Sequence, residues 1–420
     1  MKLAIVTIGS RGDVEPYLHV GRALHERGHD VRLAAHEEFR TLVEGAGLAF
    51  HRMRGGIREL VATDAGKAWM GSANRPLEYA RRARELFLPL QRCWFEDADA
   101  AVDGCDATLF YAMAGHAADA AERRRIPAIA LAPWPGWPSS RIPPLTASWL
   151  EPMPGWVLRR AWDVLMRVTF GSAQDVWREH RARVGLPPPT APTLFHRTLE
   201  ERLPMLHLFS EHVLRRPNDW PEHVHVTGFA FGEARAYAPC EALEAFLARR
   251  DRPVVYIGFG SMTGQAPERL GALARDAGRQ AGVRVVYGAG WAGHAPGSTE
   301  DFFVVDDLPH AWLFPRVDAV VHHGGIGTFA EGLRAERPTV IVAFFADQPY
   351  WGRVNERLGT GPRTLRREGL EAGALARAIA RALTPPHAER ARALGAALGR
   401  ERGAARAAEL VERIVTGGAA

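Results

Sequence analysis

Val320-Val321-His322-His323-Gly324-Gly325-Ile326-Gly327-Thr328-Phe329-Ala330-Glu331 is the stretch on which the reading of this chain turns. It opens as an apolar run ending on two histidines, the pattern of a parallel strand buried on both faces. Glycines then let the backbone turn tightly, and a helix starts at about Gly325. The unpaired N–H groups and positive dipole end of such a helix can seat a diphosphate, and an adjacent imidazole adds a donor. Alone, a His-Gly at a strand end reads better as a plain turn with a satisfied histidine. The next segment changes that weighting. After Pro338, Thr339–Phe345 is a second buried strand, leading into Ala346-Asp347-Gln348-Pro349. Pro349 suits the first helical position, which leaves Asp347 and Gln348 at the strand's carboxyl end. An Asp–Gln pair combines acceptors and donors and can bind vicinal sugar hydroxyls, while a helix cap is the plainer role for Asp347.

The same alternation runs outward in both directions. Strands are expected at Leu3–Gly9, Asp30–His36, Leu48–Met53, Asp106–Ala112, Pro127–Pro133, Leu203–Ser210 and Val224–Ala230. The second half adds Pro253–Ser261, Val283–Gly290, Phe302–Leu308, Ala319–Gly325 and Thr339–Phe345. Ala/Leu/Arg-rich helical stretches separate them. The fold class is therefore α/β, with two doubly wound Rossmann-like domains facing each other across a cleft. The expected divisions are 1–220 for the N-terminal acceptor-binding domain and 221–240 for a linker. They continue with 241–385 for the C-terminal donor-binding domain and 386–420 for two closing helices. Open α/β sheets bind ligands outside the carboxyl ends of their strands, so two such ends suit a donor in one half and an acceptor in the other.

Composition excludes several classes. The 47% hydrophobic and 24% charged fractions over 420 residues describe an ordinary globular protein, and a net charge of +5 is too small to argue for nucleic acid. Cys93, Cys105 and Cys240 are too scattered for a disulfide framework or a zinc pattern, which points to a reducing compartment. Met1–Val6 enters a strand directly, without a signal peptide, and no run approaches the ~20 apolar residues of a membrane span. A cytoplasmic enzyme, at most peripheral to a membrane, is expected.

In the first half, Gly9-Ser10-Arg11-Gly12-Asp13-Val14-Glu15-Pro16 follows the first strand without the glycine order of a dinucleotide fingerprint. Asp13 sits where a cleft residue should be. It reads equally as a helix cap or as a carboxylate that takes a proton, once its pKa is lifted from ~3.9. His116, in Met113-Ala114-Gly115-His116, also follows a strand and opens a helix. It competes with Asp13 as the base or serves as a proton relay, or else it is a surface histidine at the helix start.

The block from His323 to Gln348 resembles the donor signature of nucleotide-sugar-dependent family 1 glycosyltransferases, nearest the bacterial antibiotic, sterol and rhamnolipid branch. The likeness extends through Gly9–Pro16, Asp219-Trp220-Pro221, Val226-Thr227-Gly228 and Phe259-Gly260-Ser261. It implies a GT-B fold and an inverting, metal-independent O-glycosyltransferase. Such an enzyme moves a hexose or deoxyhexose from a UDP- or dTDP-sugar to a hydroxyl of a hydrophobic natural-product aglycone. By resemblance, His323 contacts the diphosphate within the loop of Gly324, Gly325 and Gly327, and Ser261 and Thr328 assist the phosphates. Glu331 binds the ribose, Asp347 and Gln348 bind the sugar, and Asp13 is the base. No cofactor is implied beyond the nucleotide-sugar co-substrate. Val305 and Leu308 stand where plant members carry a base-stacking tryptophan and a glutamine, which leaves uridine or thymidine open.

Asp97-Ala98-Asp99 spells a metal-binding D-x-D, but in a helical stretch its carboxylates point apart. Gly258–Gly264 has the wrong glycine spacing for nicotinamide, and Asp306-Asp307 reads as a strand-end loop. Trp134 and Trp137, in a proline-rich loop after Pro127–Pro133, suit contact with an apolar acceptor, whereas Trp156, Trp162 and Trp177 are expected to pack helices. Trp156–Arg167 also fits a basic amphipathic surface helix that could touch a membrane. The alternatives are a glycolipid- or sterol-type transferase at a membrane, a nucleotide-sugar epimerase or hydrolase, or a silent sugar-nucleotide-binding module. Monomer and homodimer are both open.

Overall fold

The computed structural model describes residues 1–72, 76–232, 237–260, 267–290, 297–306 and 308–417. It divides into two compact units, one of Met1–Pro144, Trp149–Gly232 and Arg402–Ala420, the other of Leu145–Ser148 and Glu233–Glu401.

The first unit holds β1 (Lys2–Val6), β2 (Asp30–His36), β3 (Ala49–Met53), β4 (Ala107–Tyr111), β5 (Ala128–Ala132), β6 (Met205–His207) and β7 (Val224–Val226). They form one parallel sheet in the order β3-β2-β1-β4-β5-β6-β7. The second unit holds β8 (Val254–Gly258), β9 (Arg284–Gly288), β10 (Phe302–Val305), β11 (Ala319–His322), β12 (Thr339–Ala343) and β13 (Leu365–Arg366). Their order is β10-β9-β8-β11-β12-β13, again parallel. The strands read from sequence are all present, most of them shorter because their last residues turn into loops. β13 spans two residues and carries no period that could announce it.

Covered faces explain the continuous apolar runs. In the second sheet, Val255, Ile257, Val285, Val321, Val340 and Val342 pack with Leu270, Ala274, Leu375 and Ile379 on one face. Val254, Tyr256, Val286 and Val320 pack with Leu243, Phe246, Leu313 and Phe314 on the other. Successive side chains point to opposite faces, so a strand buried on both must be apolar at every position.

Both sheets reverse their order of addition at one place, between β1 and β4 and between β8 and β11. Such a switch point opens a crevice at the carboxyl ends of the strands. The loop carrying Asp13 follows β1, and the loop carrying His323 follows β11.

The expected closing segment 386–420 is divided. The helix Pro385–Leu398 belongs to the second unit, with Gly395 so close to Leu333 that a Cβ would lie 2.4 Å from its carbonyl oxygen. The helix Gly403–Val415 belongs to the first, where Glu412 accepts from Arg27 at 2.6 Å and pairs with His29 at 2.8 Å. Asp97 and Asp99 lie on the helix Pro76–Val102 and serve different arginines, Asp97 accepting from Arg54 and Asp99 from Arg123 and Arg124. Among the described residues, no group of three or more His, Cys, Asp or Glu side chains is placed to hold a metal ion. No helix among them is long and apolar enough to cross a membrane.

Candidate active site

In the second unit β11 ends on His322 and the chain turns through His323, Gly324 and Gly325 into the helix Ile326–Arg334. Gly324 has φ +97°, and a Cβ there would meet Ile341 Cγ2 at 2.9 Å. Backbone and space both demand glycine. Gly325 is the N-cap and brings no side chain to the helix's first N–H groups. A Cβ on Gly325 would lie 2.6 Å from His323 Nε2, so the imidazole lies across the start of the helix. His323 Nδ1 is buried without a hydrogen-bond partner. Burial, with a smaller contribution from His310, lowers its pKa to about 4, so the ring is neutral near pH 7. Gly260, past the end of the neighbouring β8, has φ +56°, and a Cβ there would sit 3.4 Å from His323 Cε1.

His322 is a residue that motif reading missed. Its Nδ1 accepts the Gly324 N–H at 3.0 Å, which places the ring proton on Nε2 and ties the turn to the end of the strand. It is fully buried, and burial holds its pKa well below the usual range. Nothing in the pattern singles out a strand's last residue for this task.

Asp347 and Gln348 are placed differently from expectation. The helix Gln348–Leu358 starts one residue early, so Pro349 takes its second position and Asp347 the N-cap. Gln348 is buried, and its Oε1 accepts from the backbone N–H of Phe344 at 2.8 Å and Phe345 at 3.2 Å. Its amide oxygen thus braces the end of β12, and the NH2 is the group suited to meeting a ligand. Asp347 is half-buried and accepts from Trp351 Nε1 at 2.8 Å. Between strand and helix, Ala346 has φ +58°, a strained conformation of the kind that gathers at ligand sites. Thr328 is the third residue of the helix Ile326–Arg334 and Glu331 the sixth; both are half-buried, with Glu331 3.5 Å from Arg334. Gly327 is exposed, with nothing within 4 Å of where a Cβ would be. Ser261 lies outside the described residues, as does Asp307.

In the first unit Asp13 ends a short 3-10 turn, Arg11–Asp13. Its Oδ2 accepts from Ser10 N at 2.9 Å and Ser10 Oγ at 3.0 Å. The aspartate therefore closes its own turn rather than capping the helix Glu15–Glu26, whose N-cap position is Val14. Burial raises its pKa, against the lowering effect of Ser10 and of a hydrogen bond from Tyr111. Tyr111 is the last residue of β4, adjacent to β1, and sequence reading missed it. Gly9 N–H donates to His36 Nε2 at 3.2 Å, and His36 Nδ1 faces the Met53 carbonyl at the same distance. Gly9 has φ +128°, and a Cβ there would lie 2.5 Å from Asp13 Oδ2. Gly9→Ala should therefore displace the carboxylate and cost about 1–3 kcal/mol in a denaturant titration. Unchanged stability would show that the loop tolerates a side chain there.

His116 opens the helix His116–Arg124 as expected, but it is buried rather than on the surface. Its Nε2 is 2.7 Å from Gln91 Oε1, and its ring packs edge-on to Phe95 and Trp94. Burial, then His180, lowers its pKa to about 3. Enclosed by aromatic rings, it is poorly presented to an acceptor hydroxyl.

Residues 3–93 match the glycosyltransferase family 28 N-terminal domain, and residues 294–415 match the erythromycin biosynthesis protein CIII-like C-terminal domain. The O-mycaminosyltylonolide 6-deoxyallosyltransferase of Streptomyces fradiae is 34% identical over 98% of this chain and 97% of its own. The chain belongs to the GT-B glycosyltransferases. A second relative of this glycosyltransferase is sterol 3-beta-glucosyltransferase UGT80A2 of Arabidopsis thaliana, 31% identical over 86% of this chain. The chain spans only 57% of that protein's length. The crystal structure of glycosyltransferase VinC in complex with dTDP shares the fold, with a TM-score of 0.67 at 17% identity and full coverage of both chains.

The two tryptophans expected to meet an acceptor, Trp134 and Trp137, part company. Trp134 is half-buried at the carboxyl end of β5, and its carbonyl faces His207 Nδ1 at 2.9 Å. Trp137 is buried edge-on against His223, 5.2 Å between ring centroids, which is a packing role. Trp162 and Trp177 are buried as expected, with Nε1 donating to Ile142 O and Asp119 Oδ2. Trp156 is not; it is 74% exposed.

Proposed function

We propose that this glycosyltransferase moves a hexose or deoxyhexose from a UDP- or dTDP-sugar to a hydroxyl of a large hydrophobic aglycone, with inversion and without a metal. The observation that carries the reading is the open helix start at Gly325, with His323 lying across it and Nδ1 buried without a partner. A leaving diphosphate needs donors already in place, and this turn supplies them without a cation. A pKa of about 4 makes His323 a neutral N–H donor at working pH.

In the proposed reaction Asp13 takes the acceptor's hydroxyl proton as its oxygen bonds to the anomeric carbon. The opposite bond, to the diphosphate, breaks, and the electron pair leaves with the nucleotide. Thr328 assists the phosphates and Glu331 the ribose, while Asp347 and the Gln348 NH2 hold the sugar. Trp134 contributes apolar surface for the acceptor. Relatives named for a sterol and for a tylonolide support an acceptor of that kind, since both are large, mainly apolar alcohols. VinC's dTDP supports a nucleoside diphosphate leaving group.

Thermal-shift screening against UDP- and dTDP-sugars should identify the donor. Nucleotide release should then require an acceptor; efficient release without one would mark a hydrolase instead. His323→Ala is expected to lower kcat by about 10²–10³-fold, the usual cost of removing one donor from a developing anion. Near-normal turnover in the folded variant would remove His323 from the mechanism.

A further inference from the structure

β1 lies between β2 and β4 in its sheet, and the loop that leaves it, carrying Asp13, is held by the last residue of each neighbour. His36 ends β2 and is fully buried. Its Nδ1 faces the Met53 carbonyl, so the ring proton sits there and the bare Nε2 accepts the Gly9 N–H at 3.2 Å. Gly9, at φ +128°, has no room for a Cβ beside Asp13 Oδ2. Thr7 Oγ1 donates to the Asp13 carbonyl at 2.5 Å, and Ser10 holds Oδ2. Tyr111 ends β4, and its hydroxyl donates to the Asp13 carboxylate. The neighbouring phenol, Tyr17, packs edge-on to Tyr111 at 5.7 Å but donates to the Leu131 carbonyl at 3.1 Å. Arg11 pairs with Glu15 at 2.9 Å, and His36 faces Gly9 rather than the carboxylate. Backbone and carboxylate are thus held separately, one from each flanking strand.

We propose that His36 and Tyr111 are positioning residues for the transfer reaction, clamping the Asp13 loop from the two sides of β1. The inference rests on Asp13 as the base. Neither residue takes the acceptor's proton. His36 fixes the turn at Gly9, and with it the point from which the aspartate side chain starts. Tyr111 fixes the direction of the carboxylate, which a short turn by itself would leave freer to rotate about its last bond. A base works only when its lone pair meets the acceptor O–H within hydrogen-bond reach, so orientation enters the rate directly.

The test reads the titration of Asp13 separately from turnover. An isotope label on the aspartate carboxyl carbons, followed by NMR, gives its midpoint, with the signal identified by its loss in Asp13→Asn. A hydrogen bond to the ionised form favours that form, so Tyr111→Phe should raise the midpoint by about one pH unit. The acid limb of kcat/KM, measured with UDP- or dTDP-glucose and a sterol, should move by the same amount. His36→Asn keeps an amide for the Met53 carbonyl but is too short for Gly9, whereas His36→Gln reaches it. The Asn variant should lose about tenfold or more in kcat per nucleotide-binding site at unchanged donor KM, and the Gln variant should recover most of it. An Asp13 midpoint that Tyr111→Phe leaves in place, or equal turnover of the Asn and Gln variants, would overturn the proposal while Asp13 stayed the base. Near-normal turnover of Asp13→Asn would instead overturn the base itself, and the clamp would have no reaction to serve.

Discussion

Asp13→Asn is expected to lower kcat by about 10²–10⁴-fold at saturating donor while donor affinity stays close to normal. The amide keeps an oxygen that can accept from Ser10 N and Oγ, so the turn of Arg11–Asp13 should survive. What it loses is the capacity to take a proton. Burial lifts the wild-type carboxyl above its ordinary 3.8, so the acid limb of kcat/KM should lie above that value. A base must be ionised, so activity falls as pH drops through the raised pKa, and the variant should show no such limb. Stability should move the other way. Near neutral pH the fold holds a buried carboxylate that would rather be protonated, and the neutral amide relieves that cost. Lower turnover with equal or higher melting temperature is therefore the signature of a base held at some expense to the fold. Turnover within a few-fold of wild type, or an acid limb that persists, would reduce Asp13 to the closure of its own turn.

Much of this was legible in the chain because parallel strands covered on both faces leave a plain record. Ile5 and Val320 are apolar for the same reason as their neighbours, although the run at β1 continues past its end at Val6 to Ile8. Gly9 and Gly324 were legible too, because positive φ and close approach exclude other residues. The failures share a different cause. Tyr111 reaches Asp13 only because β4 lies beside β1, and Gln348 turns its oxygen to the loop after β12 because the Phe344 and Phe345 N–H groups there need an acceptor. Neither follows from local spacing. Trp156 looked like core because indoles usually are, and only burial on the opposite face of its helix shows which side was already occupied. The last helix crosses back to the first unit through Arg27, His29 and Glu412, a pairing between residues at opposite ends of the chain.

The same burial predicts steep sensitivity to acid. His36, His116, His207 and His322 are all buried with pKa values pushed down by desolvation, to about 3 for His116 and His207. Above pH 6.5 both the folded and unfolded chains hold these rings neutral, and they contribute nothing to a pH dependence. As pH falls below 6.5, the unfolded chain takes up protons that the folded one refuses, so stability drops. Each ring approaches a slope of about 1.4 kcal/mol per pH unit, so His116 and His207 alone imply a loss of about 4 kcal/mol by about pH 5, and His36 and His322 act in the same direction. Asp13 and Asp119, whose carboxyls burial raises, oppose this trend at its lower end. Glu412, held at about 2 chiefly by Arg27, adds its own loss only below its ordinary 4.5. A loss of that size is a large part of the ~5–15 kcal/mol that a domain usually has. Denaturant midpoints measured across this range should fall steeply. His116→Phe should flatten the slope by about one ring's share whatever it does to stability at neutral pH. A stability flat between these pH values would mean that the buried imidazoles find protons, or partners, within the fold.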